Sequence, residues 1–362
     1  MVRTLGGALA ALLAVAALYL GLWPAPIDPV AYQPPRDRGI YGGMLRNRLL
    51  DAATFMADGQ VEGPEDLAFD AQAHLYTGTA DGRIVRVGLL DRKVEPFAVT
   101  GGRPLGLRFD PAGNLVVCDA LKGLLSVDRS GRVDVLATGA EGVPFRFTNN
   151  LDVASDGTIY FSDSSSKFGP TESLYDILEA RPHGRLLRYD PRTKEARVLL
   201  RDLAFANGVA LAYDEGSVLV CETWRYRITR YWLKGEKAGT TDVFADNLPG
   251  FPDNLSRGEW GVYWLALFTV RNPAADWLQP RPLAKKLLSK LPQIFWPKPA
   301  PFGFVVELNY DGMLMRTLQD PEGRHFRNVT TARERNGVLY LGSLEDHKIG
   351  RLMFPASLVP VP

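Results

Sequence analysis

At 362 residues, with 46% hydrophobic, 10% aromatic and 23% charged side chains, the chain has the balance of a folded protein with a sizeable core, which excludes a disordered one. Forty-two basic against forty-one acidic residues leave a formal charge of +1, so no global field attracts polyanions and no nucleic acid is expected as a partner. Thirty-five glycines and 26 prolines are scattered rather than clustered, as in a fold that turns often.

The first element, Leu5 to Trp23, carries no charge over 19 residues. At about 1.5 Å per residue that is roughly 28 Å of helix, near the thickness of a bilayer core. Arg3 precedes it, so the positive-inside tendency places residues 1–4 in the cytoplasm and the rest of the chain on the non-cytoplasmic side, in a periplasm, a lumen or the exterior. A cleaved signal peptide is the competing reading, but "WPAPIDP" puts prolines where a peptidase needs extended small residues. Residues 5–23 are therefore predicted to be a single transmembrane anchor, and residues 24–52, proline-containing from Pro24 to Arg38, a stalk and linker.

From residue 53 to 362 one pattern recurs: an apolar start, a turn such as Asp-Gly, an apolar strand, then a second turn and strand. It appears six times, at intervals of roughly 40 to 45 residues lengthened where segments are inserted, which is the span of a four-stranded blade. The expected fold is all-β, a six-bladed β-propeller, with "TFMADGQ" at Thr54 to Gln60 completing the last blade so that no sheet edge is left unpaired. Ser164 to Gly184 interrupts the third unit and Arg271 to Gly303 the fifth. The second insertion mixes Trp277, Leu287, Leu288, Ile294, Phe295 and Trp296 with Lys285, Lys286, Lys290 and Lys298. It reads equally as a surface that rests on a bilayer, as a lid over a pocket, and as a helix packed on the rim. Cys118 and Cys221 sit in the similar strands "NLVVCDA" and "SVLVCET", where two buried thiols are expected rather than a disulfide.

Four blade starts carry a short-chain oxygen donor: Glu65 and Asp66 in "GPEDLAFD", Asn149 in "FTNNLDVASDG", Asn207 in "FANGVAL", Asp253 and Asn254 in "FPDNLS". Residues at the start of innermost strands all point at the ring's axis. Carboxylate and amide oxygens without cysteine or histidine describe a hard-cation site, calcium above all, whereas the alternative is that these residues merely form turns with their own backbone.

The strings "GPEDLAFD", "GTADGRIVRV", "DSSSKF", "FANGVAL", "CETWRYRITRYW", "LPGFPDNLS" and "GSLEDHKIGRL" resemble the strictosidine-synthase-like family, and within it the adipocyte plasma membrane-associated branch. More distantly the chain is similar to paraoxonases and the gluconolactonase group. The resemblance implies a calcium ion in the central tunnel, held by motif at Glu65, Asn149, Asn207 and Asp253, with Asn254 as a further candidate. It also implies calcium-dependent hydrolysis of small ester or lactone substrates by water attack on a polarised carbonyl. Two catalytic positions depart from the relatives. The paraoxonase-type histidine after "GVYWLALFTV" is missing, and in "GRHFRNV" Arg327 stands where strictosidine synthase has its glutamate, which argues against amine–aldehyde condensation because arginine is no base near neutral pH. His325 in the same string is the candidate base by motif, since imidazole titrates close to neutral pH. Asp66, Asp119, Asp163 and Glu222 are read either as axial carboxylates or as ties between blades. The alternative function is a non-catalytic, membrane-anchored propeller that binds a partner or lipid.

Overall fold

A computed structural model describes residues 19–40 and 44–353. Six four-stranded antiparallel sheets make up the propeller, and the strand Thr54–Met56 pairs with Ile349–Met353 to complete the sixth blade. The expected closure is therefore real: the chain's first strand is the outer strand of its last blade. Within the first five blades strands run in sequence from the axis outward as antiparallel neighbours, and in the sixth the three inner strands do so before Thr54–Met56 closes the outer edge. The innermost strands are Leu67–Phe69, Pro104–Phe109, Thr148–Val153, Ala206–Leu211, Gly250–Arg257 and Val329–Arg335.

Apolar residues alternate on both faces of each sheet and pack between blades rather than into a single central core. One cluster joins the fourth and fifth blades through Ile228, Leu255, Leu265 and Phe304, and another joins the second and third through Val116, Leu124, Phe161 and Leu187. The axis is left to polar side chains. Close approach of inner strands also sets a size limit there: a Cβ on Gly208 would lie 2.4 Å from the Asp253 carbonyl oxygen and 2.6 Å from the Asn254 Cα. Glycine is needed at that position because the next blade's backbone fills the space.

Both insertions leave from the end of a second strand and return at the start of a third, so they rise from the face on which the innermost strands begin. The first contains the helix Ser173–Glu179 and the second the helices Pro273–Leu278 and Pro282–Leu288. The segment after Trp23 lies across them. Val30 donates its amide to the Glu179 carbonyl at 3.0 Å and Tyr32 to the Gln279 carbonyl at 3.1 Å, Arg271 donates to the Pro35 carbonyl at 2.6 Å, and the Arg225 guanidinium stacks 3.6 Å from the Tyr32 ring centre. Ile27 is buried among Phe168, Leu178 and Trp296. The stretch expected to stand clear as a stalk is instead a strap, because its prolines leave extended backbone whose amides and carbonyls find partners on the insertions.

Of the expected membrane anchor, residues 5–18 lie outside the described residues. Its last part, residues 19–22, is helical and docks on the second insertion: the Tyr19 hydroxyl donates to the Lys290 carbonyl at 3.1 Å and Lys290 Nζ to the Leu20 carbonyl at 2.6 Å. Among the described residues no helix is long and apolar enough to cross a membrane. Cys118 and Cys221 are free and buried, as expected.

Candidate functional site

The axis of the propeller is built in layers. In the outermost layer, where the innermost strands begin, stand Glu65, Asn149, Asn207, Asp253 and Asn254, all buried. Their nitrogen atoms are committed to neighbours. Asn149 Nδ2 donates to Ser164 Oγ at 3.0 Å, Asn207 Nδ2 to Thr223 Oγ1 at 3.2 Å, and Asn254 Nδ2 to Glu65 Oε1 at 2.6 Å. Those bonds orient each amide so that its oxygen faces away from the donated side. Glu65 Oε2 and the Oδ1 atoms of Asn149, Asn207 and Asn254 accept no hydrogen bond. A bare buried acceptor costs about 1–3 kcal/mol, so four of them in one layer form an arrangement that a cation would relieve.

The contacts run round the ring. Glu65 is bonded to Asn254, Asp253 accepts from Asn207, and Ser164 links Asn149 to the fourth blade by donating to the Ala206 carbonyl at 2.7 Å. Burial pushes the Glu65 carboxyl well above the usual range, and repulsion from Asp253 and Asp66 adds to it. Burial likewise raises Asp253, against the hydrogen bond from Asn207. Two carboxylates that resist ionisation side by side, ringed by amide oxygens, fit the charge and hardness of a calcium ion. No group of three histidine, cysteine, aspartate or glutamate residues among those described is placed to hold a metal, so the candidate donor set is an amide-rich one.

Below this layer Asp66 and Asn150 are structural. The Asp66 carboxylate, fully buried, accepts from the amides of Leu67 and Leu107, from Arg108, Asn150 and Arg333, and from the Thr331 hydroxyl. It ties four blades together. The second-strand acids act within their own blades, each holding the segment that leads into the innermost strand: Asp119 accepts from the Arg103 amide, Asp163 from the Phe147 amide and Glu222 from the Ala204 amide, all at 2.9–3.0 Å. These carboxylates were expected either at the axis or as ties between blades; the bonds they make are ties between neighbouring segments of one blade.

His325 lies on the loop before the sixth blade, on the same face as the ring, with its amide held by Asp320 Oδ2 at 2.7 Å and its side chain exposed. No hydrogen bond or ion pair joins its ring to the five residues above. A different group stands on the first insertion. Asp176, on the helix of the first insertion, is fully buried; its Oδ1 accepts from Trp224 Nε1 at 3.1 Å and its Oδ2 has no partner. Burial raises its pKa to about 7, with the Ser165 hydroxyl and then the Trp224 N–H pulling the other way. Nothing in "SLYDILE" marks this aspartate except that it sits between the apolar Tyr175 and Ile177.

Trp224 connects Asp176 to an apolar cavity of 110 Å³ beneath the insertions, lined by Leu174, Leu178, Phe251, Phe268 and Trp296 among others. The same tryptophan stacks on Phe205 at 4.5 Å. Its neighbour Thr223 accepts from Asn207 and donates to the Pro252 carbonyl at 2.8 Å. Ring, cavity and Asp176 are thus joined through two adjacent residues of the fourth blade.

The raised Asp176 gives a pH signature with a definite sign. The folded protein holds this proton up to about pH 7, whereas the unfolded chain loses it near the ordinary aspartate value of about 4, so stability falls as pH rises across that window. Asp176→Asn has no proton to lose. In urea unfolding the variant should match the parent near pH 4 and exceed it at pH 8 by on the order of a few kcal/mol; parallel pH profiles would show that this carboxyl is not protonated in the fold.

Comparison with known proteins places the chain. The family profile described as strictosidine synthase matches residues 149–236, and the one described as strictosidine synthase-like, N-terminal, matches residues 42–87. Adipocyte plasma membrane-associated protein of Mus musculus is 39% identical over 358 residues, covering 91% of this chain and 85% of the relative. The protein Strictosidine synthase-like 4 of Arabidopsis thaliana is 36% identical, covering 85% of this chain and 84% of the relative. Among solved structures, a gluconolactonase of Xanthomonas campestris superposes with a TM-score of 0.62 at 21% identity, over 92% of this chain and 99% of that one. The calcium-binding protein regucalcin of Agrobacterium tumefaciens does so with a TM-score of 0.57 at 15% identity, over 85% and 93%. At these identities the solved structures bear on the fold alone.

Proposed function

The chain belongs to the strictosidine-synthase-like family, and from that premise we propose that it is a calcium-dependent hydrolase of small ester or lactone substrates with an apolar body, working at a membrane surface. The observation that carries the reading is the layer of four bare, buried oxygens on the same face as an apolar cavity. Glu65, Asn149, Asn207 and Asp253 would hold the ion, with Asn254 Oδ1 as a fifth oxygen. Calcium bound there supplies charge that polarises a carbonyl and stabilises the oxyanion formed on it.

The chain's own residues supply the rest. The cavity takes up the apolar part of the substrate, since its walls offer little to a polar one. Trp224 and Phe251 line the cavity and adjoin Thr223 and Pro252, which are bonded to each other beside Asn207. Asp176, protonated or ionised according to pH around 7, can take a proton from water or return one to the leaving oxygen, and Trp224 Nε1 holds its other oxygen. His325, on the exposed rim, is the second candidate for that proton. The insertions and the strap roof this face and limit access of bulk water. Condensation of the strictosidine type is not proposed, because Arg327 occupies the glutamate's place.

Membrane association belongs to the same proposal. Leu22 and Trp23 are exposed where the chain leaves the predicted anchor, and Trp277, Leu283, Leu287, Ile294 and Phe295 are exposed on the second insertion, on which that segment docks. A membrane-inserted anchor would bring this apolar surface, and Lys286, Lys290 and Lys298 beside it, toward the lipid. The same surface supports the second reading, a propeller that binds lipid or a partner without turnover.

The deciding experiment measures hydrolysis of phenyl acetate and of aliphatic lactones by the purified full chain, with calcium and with chelator, beside Asp253→Ala. Turnover in calcium that drops at least about a hundredfold with chelator and with the variant is the expected result. Absent turnover, or turnover indifferent to chelator, would leave the binding role.

A further inference from the structure

At the other end of the tunnel lies a group of charges that neither the ring of oxygens nor the insertions account for. Arg108, Arg257 and Arg333, from the ends of three different innermost strands, line a cavity of 270 Å³ together with Asp152 and Ser256. Three guanidinium groups thus meet two carboxylates, Asp66 behind them and Asp152 among them. Two of the cations are spoken for: Arg108 lies 2.7 Å and Arg333 3.1 Å from Asp66, which is completely buried.

Arg257 is not. Among the described residues its ion pairing is confined to Asp152, at 3.4 Å. Asp152 already accepts the amides of Val153 and Leu211, each at 2.9 Å, and also faces Arg108 at 3.9 Å. Glu334, the acid next along the strand from Arg333, is held by Trp264 Nε1 and the Glu259 amide. Of the charged side chains that line this half-enclosed funnel three are guanidinium groups and one, Asp152, is a carboxylate, and the low dielectric of the walls strengthens the field of Arg257 there. About a third of the Arg257 side chain remains open to solvent, so the charge is reachable.

We propose that this mouth of the tunnel binds a small anion of the carboxylate or phosphate class, gripped by Arg257 and supported by Arg108. The planar fork of a guanidinium matches two oxygens of such a group, and the cavity has room for several waters that the anion would displace. The site is separate from the oxygen ring: Asp66 and Asn150 fill the tunnel between them, and an anion here owes nothing to calcium.

The test is calorimetric titration of the full chain with inorganic phosphate, and in parallel with acetate, at constant ionic strength in sodium chloride and in the presence of chelator. Saturable binding of either anion is expected, weakened roughly tenfold or more in Arg257→Gln, partly kept in Arg257→Lys, and unchanged in Asp253→Asn at the opposite end. Arg257 pairs with Asp152 at 3.4 Å through a partly exposed side chain, while the sheet hydrogen bonds that close the blades are backbone ones, so both variants should fold, which circular dichroism melts would check. No saturable binding of either anion, or equal affinity in Arg257→Gln, overturns the proposal. Binding lost in Asp253→Asn but kept in Arg257→Gln would move the anion to the oxygen ring and equally overturn it.

Discussion

Asp66→Ala should destabilise the propeller by on the order of 3–5 kcal/mol, read as a shift in the urea midpoint at unchanged slope. Six donors from the strands of four blades converge on this one carboxylate. Its removal strands Arg108 and Arg333 with little solvent to replace their partner, and an uncompensated buried charge costs far more than the pair contributed. Asp66→Asn should recover little, because its NH2 group would face other donors. An exposed pair sets the scale: Arg197→Ala breaks an ion pair with Glu195 at 2.8 Å, with side chains 73% and 56% exposed, and should leave the urea midpoint almost unmoved. If Asp66→Ala proved as mild as Arg197→Ala, the axial carboxylate would not be what holds the blades together.

The second large effect is an inversion. Without metal, Glu65 and Asp253 are two buried acids whose proximity and burial penalise ionisation, so neutralising one should stabilise the fold. Asp253→Asn keeps the shape and an acceptor for Asn207, and in chelator it should be more stable than the parent by on the order of 1 kcal/mol or more. In calcium the order should reverse. A ligand at a hundred times its dissociation constant adds about 2.7 kcal/mol to the form that binds it, and the variant, short of one charge, binds more weakly. Thermal melts of both proteins in chelator and in calcium test this directly. Melting curves that keep the same order in both conditions would mean that the ring does not bind calcium.

The insertions show how a sequence pattern and its spatial meaning come apart. Arg271 to Gly303 reads as amphipathic, and the segment does present apolar residues outward, at Leu283 and Ile294, as well as inward, at Trp296. Which of these faces a cavity depends on the strap, and the strap's docking depends on the Val30, Tyr32 and Pro35 backbone meeting partners about 150 to 255 residues away in the chain. Asp176 is the sharpest case. Its neighbours in sequence are unremarkable, and only burial beside Trp224, from another blade, moves its proton affinity toward neutral pH. His325 had a motif behind it and an exposed ring; Asp176 had neither motif nor exposure.

The repeat itself was written in the primary structure. Strand alternation, turn residues and a blade-length period specify six units, and an unpaired apolar strand at Thr54 has a single open edge to complete. The oxygen donors were visible for the same reason, since equivalent positions in a ring must face one axis. Only the tertiary structure decided which of those oxygens are left bare, that Asp66 is a tie rather than part of the candidate ion site, and that the segment after the predicted anchor crosses the candidate site's face. Those outcomes depend on hydrogen bonds and charges between blades, whose partners are set by three-dimensional closure and leave no periodic trace along the chain.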